Sequence, residues 1–298
     1  MSIAAPLLLL AACLLGGCER SAPGAQAREE LAVRARTFDE RLAAARQGAG
    51  DEPVARWELP AMLAEISGLA LTANGRLLTH GDESGDLYEI DYRTGLVARR
   101  FSLGPDPVTE DFEAIAVRDS VVTLFTSKAR LFEFGEGRNE SSVAFTTREL
   151  VLDDDCREFE GAEYSPDGTT LVLACKTPRG KGKDLLLYRR DASDTTSDRF
   201  ERINIPIDSI RARGPRWKEF SASGITIRPD NGNYLLVAGP QRGYLEVTPE
   251  GSVVVARSLS ADHPQAEGIA MTRDGLLLIS DEAANGRASL TVYAAPFR

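Results

Sequence analysis

Histidine is nearly absent from this chain: His80 and His263 are its only two in 298 residues, alongside four cysteines, two tryptophans and a formal net charge of −10. Each scarcity excludes something. Two histidines far apart in sequence leave too few nitrogen donors for the usual zinc or copper sites. Each reads more readily as a structural or solvated side chain than as a catalytic base, so no nucleophilic triad can be assembled. The acidic balance argues against a nucleic-acid groove. Basic stretches such as Arg179-Gly180-Lys181-Gly182-Lys183 therefore read as solvated loops, and that one does not match a phosphate-binding loop. The apolar run at residues 7–15 is too short to span a bilayer core of about 30 Å as a mature helix.

That run ends in Leu15-Gly16-Gly17-Cys18, a stretch that resembles the bacterial lipobox, whose cysteine is lipidated and becomes the mature N-terminus. Residues 1–17 hold no Lys or Arg, and an ordinary cleaved signal with an incidental cysteine is the alternative. The expected organisation is a lipoprotein signal at 1–18 ending at the lipidation site Cys18, a tether at 19–52, and one folded domain at 53–298. The tether is rich in Ala, Gly, Ser, Arg and Glu, with Leu31, Ala35, Phe38 and Leu42 at helical spacing, so a partly helical tether is expected, a solvated stalk in preference to a helix docked on the propeller. The expected location is the bacterial cell envelope, lipid-anchored and facing the periplasm, with Glu19 after the cysteine favouring the outer membrane over the inner. The expected partners are the membrane, through the anchor, and an unknown protein or small-molecule ligand; nucleic acid is not among them, and a monomer is expected.

What the chain has in quantity is repetition. Five short apolar strands open with Ser67-Gly68-Leu69-Ala70, Glu113-Ala114-Ile115-Ala116, Glu160-Gly161-Ala162-Glu163, Ser223-Gly224-Ile225-Thr226 and Glu267-Gly268-Ile269-Ala270, at spacings of 46, 47, 63 and 44 residues. A unit of this length built of short strands with Asn-Gly and Asp-Gly turns is a propeller blade. The spacing predicts an all-β, five-bladed β-propeller. Its last unit stops one strand short at Arg298, so the strand at residues 55–59 is expected to complete the fifth blade by pairing with residues 290–294. The long third unit carries an insertion at residues 191–216.

In a propeller the first strand of each blade lines the axial channel. Ser67, Glu113, Glu160, Ser223 and Glu267 should then converge, with Asp82 opposite Ser67, Cys175 opposite Glu160 and Glu282 opposite Glu267. Carboxylates crowded at one mouth repel and need a compensator. Ca²⁺, which takes hard oxygen ligands in flexible geometry, is one; a salt-bridge ring using Lys128 and Lys176 is the other. The candidate metal-site residues are Glu113, Glu160, Glu267, Ser67, Asp82 and Glu282. Asp82-Glu83 and Asp281-Glu282 meet around a closed ring and read as a solvent-facing rim or a second cation site, with His80 at the rim beside them. Cys156 and Cys175 remain once the leader is removed, and a disulfide or two buried thiols are both open.

The phrases Glu65-Ile66-Ser67-Gly68-Leu69-Ala70, Asp82-Glu83-Ser84-Gly85-Asp86-Leu87-Tyr88-Glu89-Ile90-Asp91, Asp111-Phe112-Glu113-Ala114-Ile115-Ala116 and Gln265-Ala266-Glu267-Gly268-Ile269-Ala270 resemble the SdiA-regulated family, typified by YjiK and related to the NHL-repeat propellers. The resemblance spans roughly residues 57–296. It implies a five-bladed propeller with a bound calcium ion and no established activity, and by motif position it carries Glu113, Glu160 and Glu267 over to the site. Ser67 and Ser223 depart from the glutamate pattern. The functional expectation is a membrane-tethered, calcium-binding module for a ligand or protein. The alternative is a Ca²⁺-dependent hydrolase of the phytase-like or esterase-like kind, or a lactonase, with no catalytic residue assignable.

Overall fold

The computed structural model describes residues 24–48, 51–179, 183–194, 199–283 and 286–298. The apolar leader, with Cys13 and Cys18, lies outside the described residues. Their strands form five antiparallel sheets arranged as a five-bladed β-propeller. The inner strands are Ile66–Leu71, Phe112–Arg118, Cys156–Tyr164, Gly224–Ile227 and Ala266–Met271. Blade one gains a fifth strand, Ser141–Val143, which runs parallel to Leu96–Leu103 and is lent by the blade-two connection. In blade five the outer strand is Ala55–Glu58, antiparallel to Ser289–Tyr293 with Trp57 opposite Leu290, so the N-terminal strand closes the ring as its spacing predicted.

Central strands are covered on both faces by neighbouring blades and are accordingly buried without alternation. Tyr234–Ala238 and Leu277–Asp281 are buried at every position. Outer strands face water on one side, and the closing strand alternates buried and exposed residues. The core is divided among the blade interfaces: Leu87, Phe101, Phe112 and Phe132 pack between blades one and two, and Leu69, Leu77, Leu278 and Leu290 between five and one. Adjacent inner strands approach closely at the axis. A Cβ on Gly268 would stand 2.7 Å from Leu69 Cγ, and one on Gly224 would stand 2.7 Å from the Glu267 carbonyl, which explains the glycine that follows most ring residues. The second unit, which lacks an Asn-Gly or Asp-Gly turn, makes its hairpin with Asp119 at φ 56°.

The insertion in the third unit is absorbed at the perimeter. It supplies the outer strand Glu201–Ile205, and the short helix that follows seats Ile207 and Ile210 in the core between blades three and four. Cys156 and Cys175 form a disulfide with Cα atoms 5.9 Å apart, joining the first two strands of blade three.

The tether is helical as expected, but it takes the docked form in place of the preferred solvated stalk. Residues Ala25–Gln47 form helix α1, which lies on the propeller instead of standing off as a solvated stalk. Phe38 is 3% exposed and packs with Leu42 and Ala45 into the cluster between blades five and one, its ring 6.4 Å from that of Tyr92. Arg34 donates to the Thr94 carbonyl at 3.3 Å, and Arg46 to Asp274 Oδ2 at 2.9 Å. The helix thus bridges blade one and blade five across the seam where the ring closes. Its apolar stripe is thin, which is why the segment reads as solvated in sequence. No helix among the described residues is long and apolar enough to cross a membrane.

Docking of α1 predicts that Phe38→Ala lowers stability by about 1–3 kcal/mol in urea unfolding. Val33→Ala, on the exposed side of the same helix, should be neutral. Equal silence of both variants would show α1 to be undocked.

Candidate functional site

The residues expected to converge do so, and a β-bulge is what aims them. Ile66 pairs with Gly81 and Gly68 with His80, leaving Ser67 as the extra residue. Glu113 is left over in the same way between Phe112 and Ala114, Glu160 between Phe159 and Gly161, and Glu267 between Ala266 and Gly268. A bulged residue has no cross-strand partner, and its side chain is redirected from the ladder. In blade four Ser223 precedes its strand; its N–H donates to the Val237 carbonyl at 2.8 Å and its Oγ accepts from Gly239 N at 3.1 Å. Together with the residues after them, these five line an axial channel with about 10 Å³ of free space. That is on the order of one water-sized sphere. Backbone bonds fix the mouth: Phe112 N donates to the Asp82 carbonyl at 2.7 Å, and Phe159 N to the Ser127 carbonyl at 3.0 Å.

Burial dominates the electrostatics. It pushes the Glu113 carboxyl up to about 9, with Glu160 and Asp111 adding repulsion. It lifts Glu267 to about 8, again with repulsion from Glu160. Glu160 rises to about 7 through burial, although Lys176 opposes the shift by hydrogen bond and charge. Lys176 Nζ donates to Glu160 Oε1, while Glu160 Oε2 is buried without a partner in a residue only 5% exposed. Lys128 does not join them: its amine is exposed and donates to the Arg157 carbonyl at 2.9 Å. One lysine therefore faces three glutamates. Among the described residues no three or more acidic, cysteine or histidine side chains are grouped closely enough to hold a metal ion.

Asp82 and Glu282 stand beside the ring at the seam between blades five and one. Burial raises Asp82, whose Oδ1 has no partner, and burial and Asp82 raise Glu282, whose carboxylate accepts from the Gln265 amide. Glu65, which the sequence reading did not select, belongs with them, its carboxyl raised first by Asp82 and then by Glu83. The signal for it was period two: Glu65 and Asp111 each stand two residues before a ring position. Asp281, expected at the rim, is 1% exposed and lies 2.7 Å from His263 Nδ1, with the Tyr293 hydroxyl 2.6 Å from Nε2. His80, also expected near the rim, is fully buried behind the inner strand; its Nδ1–H donates to the Gly81 carbonyl at 2.8 Å, and burial lowers it to about 4. Both histidines serve the framework.

The other mouth is wider. The ends of the inner strands and their hairpin turns enclose a cavity of about 530 Å³, walled by Leu71, Tyr92, Val117, Tyr164, Ile227 and Met271, with Glu163 in its lining.

No family model matches the chain, and no curated protein sequence does. Among solved structures it is similar to the glutaminyl cyclase of Myxococcus xanthus, at 14% identity and a TM-score of 0.56, over 81% of this chain and 94% of that one. It is more remotely similar to a virginiamycin B lyase of Staphylococcus aureus, at 12% identity, 80% and 69% coverage and a TM-score of 0.44. A streptogramin B lyase stands at 14% identity, 82% and 73% coverage and 0.43. At such identities the likeness to the cyclase speaks for the shared fold and nothing finer.

The ring makes stability pH-dependent. Glu113, Glu160 and Glu267 have folded pKa values raised above the ordinary 4.5, to about 9, 7 and 8. The folded chain keeps protons that the unfolded chain has lost, so this contribution is complete below the ordinary carboxyl range and disappears as pH rises through the raised values. In chelator, Tm should fall from pH 5 to pH 9, and Glu113→Gln with Glu267→Gln should flatten the decline. A Tm that climbs over this interval would contradict the assignment.

Proposed function

We propose that this propeller is a cell-envelope binding module of the SdiA-regulated type, whose axial ring takes one Ca²⁺. The observation that carries this reading is the partnerless, buried Glu160 Oε2 inside a ring of three glutamates with a single lysine. A buried carboxylate oxygen without a partner is unfavourable, and a divalent cation supplies what is missing. The oxygen donors are of the kind a hard ion takes, Glu113, Glu160 and Glu267 with the Ser67 hydroxyl around free space of the order of one small sphere, and they would have to draw together on it. Asp82 and Glu282 extend the oxygen set toward the seam. Bound there, the ion would let the glutamates ionise together and would tie blades two, three and five at the axis.

Binding is favoured over the Ca²⁺-dependent hydrolase. About 10 Å³ of free space leaves no room for a substrate beside an ion in the ring, and the His80 and His263 side chains are both buried inside blades. The lipid anchor at Cys18 completes the reading. Residues 19–24 reach at most about 20 Å when fully extended, so a docked α1 would hold the propeller close to the membrane surface, in the periplasm and by preference at the outer membrane.

Calcium at about a hundredfold its dissociation constant should stabilise the protein by about 2.7 kcal/mol, a Tm rise of roughly 5–10 °C for a domain of this size. Replacing Glu113, Glu160 and Glu267 by Gln together should abolish the rise, and calcium-loaded protein should not turn over phosphate esters or lactones. An identical melting temperature in calcium and in chelator would remove the metal from the proposal; turnover that needs calcium would restore the hydrolase. Cys18→Ala should release the protein from the membrane fraction.

A further inference from the structure

The inner strands of the five blades offer one equivalent position three residues after each ring residue. In blades one, two, four and five it holds Ala70, Ala116, Thr226 and Ala270, all buried. In blade three it holds Glu163. Four small residues show that the fold asks for little volume and no charge at this place, so the carboxyl has no architectural reason to be there.

Its surroundings offer no counter-charge either. Glu163 Oε1 accepts from the Tyr164 N–H at 3.0 Å, and Oε2 accepts from the Thr226 hydroxyl at 3.1 Å across the interface of blades three and four. Among the described residues no cation pairs with it. Arg118, in the same lining, is engaged elsewhere: its guanidinium lies over the Tyr164 ring at 5.2 Å and donates to the Ala192 carbonyl at 2.9 Å. The remaining charged groups of the lining, Asp119, Asp167, Arg273 and Asp274, are exposed on the rim turns, where Arg46 of α1 engages Asp274. Burial accordingly raises the Glu163 carboxyl to about 8 against the opposing pull of its two hydrogen bonds. An ionisable group held this way in a concave site is a candidate ligand contact on physical grounds.

The cavity supplies the second half of the argument. At about 530 Å³ it lies within the small-molecule range of roughly 300–1,000 Å³. Its walls combine aliphatic and aromatic side chains with the polar Thr72, Asn74, Ser165, Thr226 and Thr272, and Tyr92 on one wall is braced from behind by Phe38 of α1. The rim mixes charges of both signs and does not select between them; the carboxyl at Glu163 does. A neutral guest or an anion would meet only a hydrogen-bonding acid there, whereas a cation supplies the charge partner that lets the carboxyl ionise.

We propose that this cavity, at the mouth opposite the glutamate ring, binds small organic ammonium ions with an apolar body, Glu163 providing the counter-charge and the surrounding apolar side chains the enclosure. On binding, the protonated Glu163 gives its proton to solvent, and the resulting carboxylate pairs with the ligand ammonium, so charge and protons balance. The site is independent of any ion at the ring and goes beyond the calcium reading.

The test uses 2-phenylethylamine, with 2-phenylethanol and 3-phenylpropionate as neutral and anionic isosteres, in titration calorimetry at neutral pH. The amine should bind saturably and release close to one proton, read from heats in buffers of different ionisation enthalpy. The two isosteres should bind at least about tenfold more weakly, and Glu163→Gln should lose a similar factor together with the proton release. Glu163→Ala, which installs the residue three other blades carry, serves as a second folded variant with the same expected loss. Absence of saturable amine binding at millimolar concentration, an alcohol that binds as well as the amine, or unaltered amine affinity in both variants would each overturn the proposal. Since the readout follows Glu163 and not the ring carboxylates, such a failure would leave the calcium reading standing.

Discussion

Ring closure is the constraint on which this molecule rests. Residues of Ala55–Glu58 pair with Ser289–Tyr293, and the ladder is extended by Val54 N on the Val292 carbonyl and Leu59 N on the Ala288 carbonyl, both at 2.8 Å. Without that strand, blade five would expose an edge, blade one would lose its neighbour, and α1 would lose the seam it lies across. Closure also makes the axis a place: only in a complete ring do five inner strands from distant parts of the chain face one another.

An axis collects one contribution per blade at each level, so the chemistry of each mouth depends on where a single blade departs from the others. At the narrow mouth, blades two, three and five present glutamates where one and four present serines, and Lys176 of blade three offsets part of the charge. At the wide mouth, blade three alone places a carboxyl, Glu163, at the inner-strand position where the other blades carry Ala or Thr. The same strand thus marks both ends of the channel. The disulfide between Cys156 and Cys175 holds that strand against its neighbour beside Glu160.

Much of this is legible in the sequence. The spacing of the five openings, the Asn-Gly and Asp-Gly turns and the missing last strand define the blade count and the closure, because hairpin chemistry is local and edge protection is general. The ring positions were legible too, since first strands must line the channel. Lys128 and Lys176 looked alike in sequence, yet one points to the Arg157 carbonyl and the other to Glu160. His80 looked like a rim residue, but the register carries its ring behind the inner strand. Helix α1 looked solvated because the few apolar side chains that seat it do not distinguish a docked helix from a free one.

By itself, the sequence determined the repeat, the strand order, the closing strand and the list of side chains that could meet at the axis, all of which follow from short-range periodicity and turn residues. Only the tertiary structure decided which way those side chains turn. A bulge of one residue reverses a direction, a neighbouring blade removes or supplies a charge partner, and burial moves a carboxyl by several pH units. These effects arise between strands far apart in the chain, where no local pattern records them.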